Sequence, residues 1–192
     1  MRIVKILSMA LFMGALTLAS DRLFADDAAK PVFGPWAQAK VGDFMTATIP
    51  GKFKVTSVDL TEDVRKKIDL METYSLDNTN SDDYQCLVTN VIYNKGIMAD
   101  LDGAAKGSID NMKANSAIKD FRVGQKYIKR FGMDGIMIWG DFKAEGQKAT
   151  FQSEIFIKRN YMWMVLIIDA TKERYDKITQ YIFNSYTIAP PQ

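Results

Sequence analysis

Two polar interruptions, Glu145-Gly146 and Arg159-Asn160, constrain the fold of this chain more than any other feature. Each has the length of a two-residue hairpin loop, and each separates runs rich in β-branched, aromatic and Met residues. So short a loop fixes register, because a slip of one residue would move every side chain to the other face. With Glu145-Gly146 as a turn, Ile136 pairs with Ile155, Ile138 with Ser153, Gly140 with Phe151 and Phe142 with Ala149. With Arg159-Asn160 as the next turn, Ile157 pairs with Met162, Ile155 with Met164, Ser153 with Leu166 and Phe151 with Ile168. The result is one continuous apolar face across three antiparallel strands, for which the chain's two main helices are natural covers.

The opposite face is mixed. It carries Met137, Trp139 and Asp141, then Gln152, Glu154 and Phe156, then Trp163, Val165 and Ile167. Trp139 falls opposite Gln152, and Phe156 opposite Trp163. Two readings follow. Trp139, Asp141, Glu154, Phe156 and Trp163 could form a recognition surface. Alternatively the N-terminal segment, or a short helix near Thr61, covers this face as a third layer; central strands favour that reading. Asp141 and Glu154 could also be a carboxylate pair for acid/base chemistry, although nothing in their spacing selects them over a solvated sheet face.

Elsewhere, Phe44–Ile49 reads as a strand ended by Pro50-Gly51, and Phe53–Leu60 as a second. Thr61 can cap a short helix through Ile68. Met71–Leu76 and Tyr84–Tyr93 read as strands joined by the polar loop Asp77–Asp83. Then the period changes. Leu101, Ala104, Ala105, Ser108, Ile109 and Met112 share one helical face, with Asp100 or Asp102 as cap. Gly103 and Gly107 each cost about 1 kcal/mol against Ala, so close packing on a sheet must hold this helix. Strands at Phe121–Arg130, Gly135–Ala144, Gln147–Lys158 and Tyr161–Asp169 follow. A last helix runs from Thr171, its expected cap, to Phe183, and Ser185–Ile188 closes the domain.

The N-terminus reads as an export signal. Arg2 and Lys5 precede the apolar run Ile6–Ala19, and Leu23-Phe24-Ala25 offers a cleavage site. The run is shorter than the ~20 residues needed to span a bilayer. No Cys follows it, so lipid attachment is not expected. The expected organisation is a signal peptide at 1–25, a loosely ordered lead at 26–40 and a single domain at 41–189. This places the mature protein in the periplasm or outside the cell, with no stable membrane insertion. Removing the first 25 residues takes the positive excess with it, leaving 22 basic against 22 acidic side chains. A neutral domain has no overall field to gather nucleic acid or anionic membrane.

The chain has no His. That removes the commonest general base, metal ligand and pH switch, and with them Ser-His-Asp and Cys-His chemistry. The lone Cys86 lies in a predicted strand and is expected to be buried rather than redox-active. The loop Asp77–Asp83 lacks the Gly and distal Glu of a calcium-binding loop. Lys126, Lys129 and Arg130 surround Tyr127, but strand alternation splits them between faces, which argues against a nucleic-acid stripe. No cofactor or metal is expected.

Three segments carry a family resemblance. Thr48-Ile49-Pro50-Gly51-Lys52-Phe53 resembles the early Pro-Gly strand end of PsbP-like proteins. Asn160-Tyr161-Met162-Trp163-Met164-Val165 resembles their strand before the last helix, and Phe183-Asn184-Ser185-Tyr186-Thr187-Ile188 their closing strand. The chain departs at Lys52-Phe53, where many relatives have Gly-Trp. The resemblance implies an α+β fold: an α-β-α sandwich with a central antiparallel sheet and two main helices. Such proteins include extrinsic photosystem subunits, a nuclear Ran-GTPase-binding protein and exported bacterial proteins without assigned function. They are mostly non-enzymatic, and no site transfers residue by residue. The expected function is a binding or assembly-accessory role in the bacterial envelope, with an envelope protein as partner. The alternatives are a carrier of an apolar small molecule in the Met- and aromatic-rich interior, or a carboxylate-based hydrolase.

Overall fold

The computed structural model describes residues 33–56, 60, 62–77, 83–144, 146–171 and 175–191. The expected signal peptide, the capping role of Thr61, most of the loop 77–83 and the turn residue Glu145 lie outside the described residues. In chain order the elements are β1 (Trp36–Val41), β2 (Met45–Pro50), β3 (Phe53–Thr56), α1 (Glu62–Arg65), β4 (Ile68–Leu76), β5 (Tyr84–Tyr93) and α2 (Leu101–Ala114). They continue with β6 (Ile118–Arg130), β7 (Met133–Ala144), β8 (Gln147–Lys158), β9 (Tyr161–Asp169), α3 (Asp176–Ser185) and β10 (Thr187–Ile188).

The class is α+β with antiparallel sheets. A seven-stranded sheet runs in the order β3-β4-β5-β9-β8-β7-β6, and a three-stranded sheet in the order β1-β2-β10. The register read from the two turns is the register observed, from Ile136↔Ile155 and Phe142↔Ala149 in one ladder to Ile157↔Met162 and Phe151↔Ile168 in the next. Gly146, at φ +82°, supplies the left-handed backbone that such a turn needs.

Several boundaries differ from expectation. Strands β6 and β7 continue to a third two-residue turn, Phe131-Gly132, with φ values of +57° and +67°. The Phe131 ring packs edge-on against Phe156 at 5.5 Å, which offsets the strain of a bulky residue there. The lead expected to be loose contains β1, paired with β2 from Trp36↔Pro50 to Val41↔Met45. The short helix stops at Arg65, because Ile68 already pairs with Tyr93. The last helix begins at Asp176 rather than Thr171. Buried Asp169 takes over the connection, accepting hydrogen bonds from the Thr171 and Tyr175 backbone N–H groups at 2.9 and 2.7 Å. Asp100 does sit at the N-cap of α2, but its carboxylate makes no capping bond.

The two faces of the large sheet are covered differently. Helix α2 packs on the continuous apolar face, burying Ala104, Ala105, Gly107, Ser108 and Met112 against β6, β7 and β8. Small side chains allow that approach, and the Ser108 hydroxyl donates back to the Ala104 carbonyl at 2.9 Å. Met162 and Met164 are packed into this core. The second helix does not join α2. Ile182 and Phe183 of α3 cluster instead with Trp163, Val165 and Ile167 on the other face, together with Met45, Ala47 and Ile49 of β2. The second layer is therefore mixed, part helix and part small sheet. The reason is that Phe156, Trp163, Val165 and Ile167 are too apolar to stay wet, and β2 and α3 bring matching apolar stripes.

Cys86 is buried, and burial pushes its thiol up to about 12 from an ordinary value near 9.0. It is expected to resist a maleimide reagent in the native protein and to react fully in denaturant. The raised value also sets a sign: above the unfolded value the native state holds a proton that the unfolded chain has released. Stability should therefore fall as pH rises from about 9 toward 12, as urea titrations across that range would show. Among the described residues, no helix is long and apolar enough to cross a membrane.

Candidate binding surface

Cover by β2 and α3 divides the mixed face into a buried inner part and an open outer part. Phe156, Trp163 and Glu154 are 0%, 1% and 3% exposed, whereas Trp139 is 41% exposed. The five residues thus do not form one recognition surface. Three belong to the interior, and Trp139 and the half-buried Asp141 remain in the open part. The cover is the small sheet and α3; the short helix α1 packs on β4 instead.

Glu154 belongs to an anchoring cluster. Arg130 Nη1 donates to Glu154 Oε2 at 3.0 Å and to the Phe183 carbonyl at 2.9 Å. The guanidinium lies 4.6 Å from the ring centres of both Phe131 and Tyr186. The Tyr186 hydroxyl donates to Glu154, and burial together with that carboxylate holds the phenol well above its usual range. This ties the C-terminal end of α3 to the sheet. Asp141 has a different partner, Arg122, whose Nη2 and Nε donate to Asp141 Oδ1 at 2.7 and 3.0 Å. Glu154 stands opposite Met137, four residues along β7 from Asp141. At about 3.3 Å per residue their backbone positions are some 13 Å apart along the strands, and each carboxylate is held by its own arginine. Held on separate arginines, they do not form the carboxylate pair that the sequence left open for acid/base work.

The open part is built around Trp139. Gly124 stands opposite it in the β6–β7 ladder. A Cβ at Gly124 would come within 2.8 Å of Trp139 Cζ2, so the indole lies over the glycine and extends across β6. Lys126 Nζ is 6.0 Å from the indole centre. On one side, Trp139, Gln152, Ile167, Asp176 and Thr179 line a depression of about 200 Å³. On the other, Asp120, Arg122, Asp141, Lys143 and Lys148 line one of about 560 Å³.

Charge on this part is uneven. Lys143 stands directly between Lys119 and Lys148 in the two ladders, an arrangement of like charges that costs stability. Lys143 Nζ meets Asp120 Oδ2 at 2.7 Å, which relieves part of it. Lys119, Arg122, Lys126, Lys143 and Lys148 still outnumber Asp120, Asp141 and Asp176. Tyr127 and Lys129 point to the other face, where they meet Asp102 and Asp134, so the expected splitting of that basic cluster is observed. The Lys143–Lys148 pairing follows from the Glu145-Gly146 turn and was legible in the sequence. The part played by Lys119 was not, because β6 is irregular between Lys119 and Arg122.

No protein-family model and no curated protein matches this sequence. Solved structures do match. The cyanobacterial PsbP protein CyanoP of Synechocystis sp. PCC 6803 superimposes with a TM-score of 0.55 at 9% identity, over 86% of this chain and 97% of that one. LpqN, involved in cell envelope biogenesis of Mycobacterium tuberculosis, gives 0.46 at 12% identity, over 81% and 91%. PA94 from Pseudomonas aeruginosa, a protein of unknown function, gives 0.46 at 9%, over 82% and 98%. The likeness to CyanoP shows the fold.

Proposed function

We propose that this domain of PsbP-like fold is an exported, non-enzymatic binding or assembly-accessory protein of the bacterial envelope. It engages a protein partner through the open part of its large sheet. One observation carries the reading: Trp139 is packed over Gly124, on a strand paired on both sides, with 41% of its surface in solvent. A large, rigid aromatic group already fixed in place loses little entropy on binding, and Trp is enriched among residues that dominate interface energies. The separation of Asp141 from Glu154 supports a binding role over a carboxylate-based hydrolase. The basic leader and apolar run of the first 25 residues support export.

The test is crosslinking in intact cells with a tagged protein, followed by mass spectrometry. A single dominant envelope partner is expected, with capture falling about tenfold for a folded Trp139→Ala variant. Undiminished capture by that variant would move the interface elsewhere.

A further inference from the structure

Strand β6 is the last strand of the seven-stranded sheet, and no described strand pairs with its outer side. It is 13 residues long. An edge of that length presents a row of outward backbone N–H and C=O groups, able to accept another extended chain. Its irregularity lies between Lys119 and Arg122, where Asp120 has φ +51°, so the regular ladder runs from Arg122 to Arg130. The strand carries Lys119, Arg122, Lys126, Lys129 and Arg130 against the single carboxylate of Asp120. Arg122, Lys129 and Arg130 already meet Asp141, Asp134 and Glu154 on β7 and β8, so the cationic excess rests on Lys119 and Lys126, with the Arg122 side chain still 72% exposed. A second copy of this chain would set one cationic strand beside another. An acidic strand would meet complementary charge, so the lysines that guard the edge against self-pairing also select its partner.

Side-chain alternation makes the partner more specific. Arg122, Gly124 and Lys126 point to the face that holds Trp139, at two-residue spacing. Gly124 offers no side chain, and the indole fills the space above it and reaches toward the edge. Building on the binding role proposed above, we infer that β6 accepts an extended acidic segment of a partner protein as an added strand. Its sequence pattern is acidic, any, apolar, any, acidic. The two carboxylates face Arg122 and Lys126, and the apolar side chain packs on the edge of Trp139.

The experiment uses fluorescence anisotropy with a labelled synthetic ten-residue peptide in which two glutamates flank a leucine at that spacing. A peptide with lysines in their place serves as control. The acidic peptide is expected to bind and the lysine peptide not to. Arg122→Glu and Lys126→Glu are each expected to weaken binding about tenfold. Two further peptides, N-methylated on alternate amides, test the backbone pairing. Methylation of the edge that faces β6 should abolish binding, and methylation of the other edge should leave it intact. Equal binding by both would overturn strand addition. So would failure of the acidic peptide to bind at low salt, or a dimer in sedimentation that Lys126→Glu abolishes. If the peptide fails while Trp139-dependent capture in cells persists, the edge inference falls and the binding surface stands. Loss of both removes both.

Discussion

Trp163→Ser is expected to cost the domain about 4 kcal/mol or more, and Trp139→Ser less than about 1 kcal/mol. The two residues share one face of one sheet, yet Trp163 is 1% exposed and Trp139 41%. The Trp163 indole stacks on Tyr161 at 5.7 Å with an interplanar angle of 9°, meets Phe44 edge-on at 6.4 Å, and stands opposite buried Phe156. Removing it leaves a cavity between the sheet and β2 that rigid strands cannot close, and the new hydroxyl loses water without a designed partner. Against a total stability of about 5–15 kcal/mol, that is a large share. Trp139 already spends much of its surface in water, so its removal returns little. Urea unfolding of both variants measures the difference. Comparable losses would show that Trp139 acts as a core residue and would remove the basis for the proposed surface.

Arg130→Met is expected to lower stability by about 3 kcal/mol, at the low end of the usual cost of breaking a buried ion pair. Glu154 is only 3% exposed and would keep its charge in the interior with the Tyr186 hydroxyl as remaining donor. The Phe183 carbonyl would also lose its donor. The low end applies because the Arg130 side chain is 29% exposed, so part of its charge is already screened. The double variant Arg130→Met with Glu154→Leu should recover a substantial part of the loss, since it removes both the orphaned charge and its desolvation. A thermal or urea double-mutant cycle with Glu154→Leu alone reads the coupling directly. Additive losses would mean that the two side chains are not energetically linked. Loosening of α3 should accompany the single variant, visible as faster amide exchange between Ile182 and Ser185.

The mixed face shows how far the sequence could lead toward the site. Alternation placed Trp139, Asp141, Glu154, Phe156 and Trp163 on one face, and the structure has them there. It could not tell which were covered, because the cover comes from segments far away in the chain. Ser185, the last residue of α3, donates its hydroxyl to the Thr48 carbonyl at 2.9 Å, and the Thr46 and Thr187 hydroxyls pair at 2.8 Å. These contacts seat β10 on β2 and close the inner part of the face. Neither the reach of that cover nor its end short of Trp139 has a local signal. The same holds for Arg130. In sequence it is one of three cations around Tyr127; in the fold it is the counterion of a carboxylate on β8.

Local rules were therefore enough for the large sheet's late strands. A two-residue turn leaves one register, and period-two alternation then assigns every side chain to a face. They were also enough for α2, where small residues at helical spacing announced close packing on a sheet. They failed at ends, such as Thr171, where Asp169 outcompetes a helix cap, and at the Trp36–Val41 strand, whose β propensity is weak and whose stability comes from pairing with β2. The sequence by itself determined strand register, face assignment and the chemistries a chain without His excludes. Tertiary structure alone decided which aromatic rings are core, which carboxylate meets which arginine, and where the sheet is left open. Backbone geometry and side-chain period are local properties, whereas burial depends on apolar surfaces that meet only when distant segments pack together.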